Sequence, residues 1–167
     1  MRNIGTPLSE GAVDGLKVGD RISISGYIFA GRDAVLPKLV KMAQSGELAK
    51  ANVDLQGGVI FHTAVSCAGV GPTSTNKLEI EGSIGPLSKH GVRLHLGKGA
   101  IRKETIEALA LWHSAYAVIP PVTALLNDRI LLKEVLLFPE EGMEAFHLLK
   151  VENVPAIVAA VNGQAIY

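Results

Sequence analysis

Cysteine is nearly absent from this chain: Cys67 is the only one among 167 residues. A lone thiol excludes an internal disulfide, and it excludes any zinc or iron–sulfur site built from this chain's cysteines alone. The five histidines, His62, His90, His95, His113 and His147, show neither HxxxH nor HExxH spacing, so no metal-binding helix is predicted. Charge of one sign is missing as well. Sixteen basic residues balance sixteen acidic ones without a run of either, whereas a nucleic-acid binder needs a basic face. An apolar leader is also lacking: "MRNIGTPLSEGAVDG" has no h-region, so the expectation is a cytoplasmic chain without a signal peptide.

What is abundant is apolar surface. Hydrophobic residues make up 48% and charged ones 19%, with mean hydropathy +0.30. That is apolar for a lone soluble chain, and some of this surface is expected to meet a partner. The length suits one domain, residues 1–167, with a substantial core. The stretch Ala108 to Leu126 carries no formal charge and is long enough to cross a bilayer. His113, Ser114 and Tyr116 interrupt it and Pro120-Pro121 would break a helix, so it reads as a helix end, a short buried strand and a proline turn.

Strands and helices alternate along the chain. "RISISGYIF" (21–29) puts Ile22, Ile24 and Ile28 on one face with period two. "DAVLPKLVKMAQSGE" reads as a helix with Asp33 near its N-cap, Pro37 in its first turn and Gly46 as its stop. "GGVIFHTAV" and "GVRLHLGKG" read as strands, and "IRKETIEALALWHS" as an amphipathic helix with Ile106, Leu109, Ala110 and His113 on one side. "YAVI", "LKEVLLF", "AFHLLKV" and "AIVAAV" follow as four further strands. The prediction is an α/β domain with a mixed sheet.

Three places set polar groups at the ends of predicted strands, where α/β folds gather function. In "AGRDA", Arg32 offers a two-point grip on a carboxylate; alternatively Asp33 caps the helix and Arg32 only pairs with it. In "VGPTSTNK", hydroxyls, backbone N–H groups and Lys77 suit an anion, although a solvated glycine-proline turn has the same composition. In "LGKGAI", Lys98 stands between glycines before a helix start, so ammonium and helix terminus would address one anion. No Walker A spacing accompanies it. Cys67 and His62 lack an orienting third group and read as packing residues rather than a thiol nucleophile and its base. Together the three places suggest a site for a small anion with several negative charges.

The same places, in this order, carry a resemblance. "LKVGDRISISGYIFAGRDAVLPKL", "VGPTSTNKLE", "HLGKGAI" and "EEGMEAFHLLKVENVPAIVAAVNGQAIY" resemble the β subunit of two-subunit class I fumarases and L-tartrate dehydratases, from about Thr6 to Tyr167. That module also forms the C-terminal domain of single-chain iron–sulfur fumarases. The resemblance implies a swivelling β/β/α domain and an α-subunit partner holding a [4Fe–4S] cluster, none being bound by this chain. It implies a heterotetramer with that partner, or a homodimer when isolated. It implies Thr73 as the proton-transferring hydroxyl and Arg32, Lys77 and Lys98 as substrate ligands, with Asp33, Gly71, Ser74, Gly97 and Gly99 supporting them.

The implied reaction is reversible hydration of fumarate to (S)-malate. Fixed cations would stabilise the charge that accumulates on a substrate carboxylate when the adjacent C–H bond breaks. The alternatives are dehydration of L-tartrate or another C4–C5 hydroxy diacid, and a non-catalytic anion-binding or assembly module. The chain departs from the family pattern at three points. Lys77 stands where an arginine is usual, Leu36 where a histidine is usual, and "PPVTA" (120–124) replaces a glycine-rich segment.

Overall fold

The computed structural model describes residues 1–120 and 123–167, with Thr123 described by its backbone alone. Pro121, half of the proline turn expected from the sequence, therefore lies outside the described residues. The strands are β1 (Arg2–Gly5), β2 (Arg21–Gly31), β3 (Val59–His62), β4 (Leu94–Gly97), β5 (Ala115–Val118), β6 (Ile130–Leu137), β7 (Phe146–Val161) and β8 (Gln164–Ala165). The helices are α1 (Leu36–Ser45), α2 (Glu47–Lys50), α3 (Leu78–Lys89), α4 (Lys103–Leu111) and α5 (Thr123–Arg129), and a 3₁₀ segment, Pro139–Glu144, precedes β7.

β2, β3, β4 and β5 run parallel, and β7 pairs antiparallel with both β5 and β2. The five strands thus close on themselves as a mixed barrel, with β1, β6 and β8 added at its margins. Side chains alternate across each strand. Val59 and Phe61 of β3, Leu94 and Leu96 of β4, and Ala115 and Ala117 of β5 fill the barrel together with Ile22, Ile24 and Ile28. Their outward neighbours face helices. Ile60 packs with Leu36 and Leu39 of α1 and Ile80 and Leu87 of α3, and Tyr116 packs with Ile84 of α3 and Leu109 of α4. Each fully buried aliphatic side chain contributes about 1.5–3 kcal/mol. Burial on both faces explains why these short strands read as continuous apolar runs.

β7 is one strand of 16 residues, not the two expected from "AFHLLKV" and "AIVAAV". Between the pairs Ile24↔Val154 and Gly26↔Val151, β7 advances by one more residue than β2, and Asn153 takes a left-handed φ of 53° there. This bulge reverses the inward phase. Leu149 and Val151 before it, and Val154, Ala156 and Val158 after it, all reach the barrel interior. Pro155 next to the bulge reinforces the impression of a break.

α1 begins at Leu36, with Val35 rather than Asp33 at its N-cap and no side-chain cap bond; Pro37 lies in the first turn and Gly46, at φ 80°, ends the helix. α4 stops at Leu111. His113 lies past its end at φ 54°, with its side chain 71% exposed, so it is not on the buried face. α3 matches none of the elements expected from the pattern. Gly82, Gly85 and Pro86 inside it weaken the helical signal, and burial of Ile80, Ile84 and Leu87 overrides that weakness. Among the described residues no helix is long and apolar enough to cross a membrane.

α3 also sets the start of α4. Glu81, only 2% exposed, accepts from the backbone N–H of Arg102 at 2.8 Å, from Arg102 Nε at 3.2 Å and from Thr105 Oγ1 at 2.5 Å. A carboxylate at a helix N-terminus satisfies its free N–H groups and its dipole together. Glu81→Ala is expected to lower unfolding free energy in urea by about 2–3 kcal/mol. Glu107→Ala, in the exposed pair with Lys103, should change it by about 0.5 kcal/mol or less. Equal losses would mean that Glu81 does not hold α4.

Candidate functional site

Because β2, β3 and β4 are parallel, their C-terminal ends emerge on one rim of the barrel. The register Gly31↔His62 and Phe61↔Leu96 sets Gly31, His62 and Gly97 level, so Arg32, Thr63 and Lys98 follow them side by side. The long loop after β3 folds back over these ends. Thr73 N donates to His62 O at 2.7 Å and Thr75 N to Lys98 O at 3.0 Å. Ser74 forms a parallel bridge with Lys98, and Thr63 Oγ1 donates to Gly71 O at 2.7 Å. The three polar places singled out in the sequence therefore meet.

Charge is arranged around Arg32. Its Nε donates to Asp33 Oδ1 at 3.0 Å and lies 2.9 Å from Glu144 Oε1, while its Nη1 is 3.5 Å from Thr73 Oγ1. The single Nε hydrogen serves Asp33, and Glu144 Oε1, although buried, has no hydrogen-bond partner. Lys77, the residue that opens α3, brings its Nζ within 3.9 Å of Asp33 Oδ1. Burial raises the Asp33 pKa, but the Arg32 bond, a backbone bond and the charges of Arg32 and Lys77 outweigh it, and the carboxyl sits below its ordinary range. Lys98 is exposed; its backbone, not its side chain, joins it to the loop. Gly99 beside it has φ 86°. Three cations thus stand with two carboxylates at one rim. The surplus of one positive charge and the hydroxyl near Arg32 suit an anionic ligand.

Beneath the rim lies a buried polar layer. His62 Nδ1 and Thr75 Oγ1 are 2.9 Å apart, and His95 Nε2 and Ser88 Oγ of α3 are 2.8 Å apart. The two imidazoles tilt against each other with centroids 6.0 Å apart. Tyr116 Oη donates to Gly99 O at 2.9 Å. Burial pushes the Tyr116 phenol well above its ordinary range.

Several positions differ from their sequence expectation. Asp33 pairs with Arg32 but caps nothing. Cys67 is exposed rather than packed, whereas His62 is fully buried. Leu36 is 1% exposed in the core beneath α1. Glu144 went unmarked although "EEGMEA" contains it; only its pairing with Arg32 across the fold reveals it. Among the described residues no group of three or more His, Cys, Asp or Glu side chains is placed to hold a metal ion. A cavity of about 450 Å³ opens at the opposite end of the barrel, beside Leu8, Arg93 and Trp112. Arg93 is spent there on the carbonyls of Ser88, Gly91 and Trp112, so it offers an anion little.

Residues 3–167 match the family model described as Fumarase C-terminus. A Methanocaldococcus jannaschii protein named "Putative L(+)-tartrate dehydratase subunit beta" is 28% identical over 96% of this chain and 88% of its own length. A Geobacillus stearothermophilus protein named "Putative fumarate hydratase class I" is 32% identical over 62% of this chain and 20% of its own length. The Leishmania major protein named "Fumarate hydratase 2" is 26% identical over 90% of this chain and 28% of its own length. The chain thus spans most of the first relative and under a third of the other two.

The buried imidazoles make stability depend on pH. Burial lowers the His62 pKa to about 3, and burial, with the charges of His62 and Arg93, takes His95 well below its ordinary value. Both rings stay neutral in the folded chain, while in the unfolded chain each takes up a proton near pH ~6.5. Their contribution is complete above that pH and shrinks as pH falls toward the folded values. Between pH ~7.5 and ~5.5 the pair should remove about 2–3 kcal/mol of unfolding free energy. His95→Gln, which keeps a partner for Ser88 but does not titrate, should remove about half of that slope. An unchanged slope in urea titrations would assign the acid sensitivity elsewhere.

Proposed function

The chain belongs to the fumarase C-terminus family, and from that premise we propose that it is the β subunit of a hydro-lyase acting on a C4 hydroxy diacid. It serves as a single swivelling β/β/α domain, residues 1–167, and works in the cytoplasm as a heteromer with a cluster-bearing α subunit. The first substrate pair is (S)-malate and fumarate. Dehydration breaks a C–H bond at the carbon next to one carboxylate and the C–O bond at its neighbour. The carbon–carbon double bond forms as the proton leaves and the hydroxyl departs as water.

The observation that supports this most is the meeting of Arg32, Thr73 and the Lys98 backbone at one rim, with Thr73 Oγ1 3.5 Å from Arg32 Nη1. Arg32, with Nε tied to Asp33, keeps the outer edge of its guanidinium for a substrate carboxylate. Lys77 and Lys98 add charge where it accumulates as the proton leaves. In this reading Thr73 supplies the hydroxyl that carries that proton, with a carboxylate of the partner to activate it. Cys67 alone does not hold a [4Fe–4S] cluster, so the residues present do not fit that group, and it belongs to the partner. When bound there it supplies a Lewis-acidic iron.

L-tartrate is the second reading. It is favoured by the relative named for tartrate dehydratase, 88% of whose length this chain spans. Co-expression with a cluster-bearing α subunit, purification without oxygen and assay on malate, fumarate and L-tartrate decides between them. Copurification and turnover of a diacid are expected, with no turnover by this chain alone. A complex that binds diacids but turns over none would leave an anion-binding module.

Arg32→Lys keeps a positive charge beside Asp33 and Glu144 but loses the planar fork. It should lower kcat/KM about 100-fold, a loss of about 3 kcal/mol of transition-state stabilisation, while changing unfolding free energy by about 1 kcal/mol or less. A variant with native kcat/KM would remove Arg32 from the substrate contacts.

A further inference from the structure

His62 and Thr75 are buried, chemically capable residues that the proposed reaction does not use. Both are 0% exposed, and they join the two loops that carry the reacting groups. The His62 carbonyl holds the Thr73 N–H at 2.7 Å, and its ring meets the Thr75 hydroxyl at 2.9 Å. Thr75 N in turn holds Lys98 O at 3.0 Å. The circuit closes at Gly97, where an added Cβ would overlap Thr75 Oγ1 and lie 2.9 Å from His62 Nδ1. The bond therefore occupies the space that any larger residue at 97 would fill. On the far side of Lys98, Tyr116 fixes Gly99 O at 2.9 Å.

We propose that His62 and Thr75 are positioning residues, whose buried bond against Gly97 sets the separation of the Thr73 hydroxyl and the Lys98 loop. This rests on the hydro-lyase reading for its consequence in turnover, but not for the lock itself. A bond at this depth has no water to replace it, so removing either partner leaves an unpaired polar group and a cost that lifting the loop relieves. Burial keeps the ring neutral, and the hydroxyl both donates and accepts, so the bond persists in either tautomer. Displacing reacting groups by about 1 Å costs roughly 100-fold in rate, whereas Arg32, Lys77 and Lys98 would still attract the diacid.

The test compares Thr75→Val, which keeps shape without the oxygen, with Thr75→Ser, and His62→Phe with His62→Asn, which keeps a polar atom near the Nδ1 position. Two readouts are taken. In the assembled αβ complex, Thr75→Val and His62→Phe should lower kcat at least about tenfold with KM within about threefold of native, and Thr75→Ser and His62→Asn should recover most of it. In the full chain without its partner, amide hydrogen exchange should accelerate at least about tenfold at Thr73 and Thr75 in the first pair only, with the β3–β4 ladder unchanged.

Native kcat in Thr75→Val, equal losses in Thr75→Ser, or exchange that quickens through the whole barrel would overturn the proposal. If His62→Phe does not fold, the two Thr75 variants decide alone. A wild-type complex without activity on any diacid removes the hydro-lyase reading, and the exchange pattern still tests the lock separately.

Discussion

The antiparallel pairing of β7 with β2 is the constraint on which the rest depends. It runs from Arg21↔Ile157 to Ala30↔His147, and without it the parallel strands would form an open sheet with two exposed edges. Closing a ring of only five strands requires strong bending. The bulge at Asn153 supplies bending while keeping apolar side chains inward on both sides of it. The same pairing brings the residues just before β7, Glu144 among them, to the end of β2, where Arg32 emerges. Barrel closure and the site's electrostatics thus follow from one strand.

The rim inherits its chemistry from the parallel arrangement. Each of β2, β3 and β4 ends at the same edge, and the polar turns after β3 and β4 are tied back to strand ends and to each other. Thr73 hangs on His62, Thr75 on Lys98 and Gly99 on Tyr116. Such cross-bracing is inexpensive for backbone groups, which need partners in any case. It also means that groups far apart in sequence move as one unit. Glu81 extends the bracing outward, since it fixes the start of α4 just past the Lys98 turn.

Much of this was legible in the residue pattern, and the failures have physical causes. β2 declared itself through Ile22, Ile24 and Ile28, and α1 through Pro37 and Gly46, because local periodicity and local stop signals agreed there. β7 read as two strands because a bulge reverses its phase, and α3 was not read because tertiary burial overrode two glycines and a proline. In the site, Arg32, Lys77 and Lys98 stood out because charged groups at apolar strand ends are conspicuous, whereas only the family resemblance picked Thr73 from the hydroxyls of its loop. Glu144 and the His62–Thr75 bond did not. Their meaning lies in contacts across 112 residues for Arg32–Glu144 and 13 for His62–Thr75, which no local spacing encodes.

Lys77 shows what the fold adds to a sequence departure. As the residue at the mouth of α3, its ammonium stands where the helix terminus already favours negative charge. It leans toward Asp33, which Arg32 holds more closely, at 3.0 Å against 3.9 Å. An arginine here would compete with Arg32 for the same carboxylate, since both would present planar donors to one acceptor. A lysine shares it, because a flexible ammonium gives up a 3.9 Å ion pair at little cost. In this geometry Asp33 holds Arg32 at 3.0 Å and draws the half-exposed Lys77 only to 3.9 Å. In the function proposed above, an arriving carboxylate would take the outer donors of Arg32 and meet Lys77 as a second, mobile charge. On that proposal, a mobile charge at residue 77 in place of a two-point grip leaves directional recognition to Arg32, and with it the orientation on which proton removal would depend.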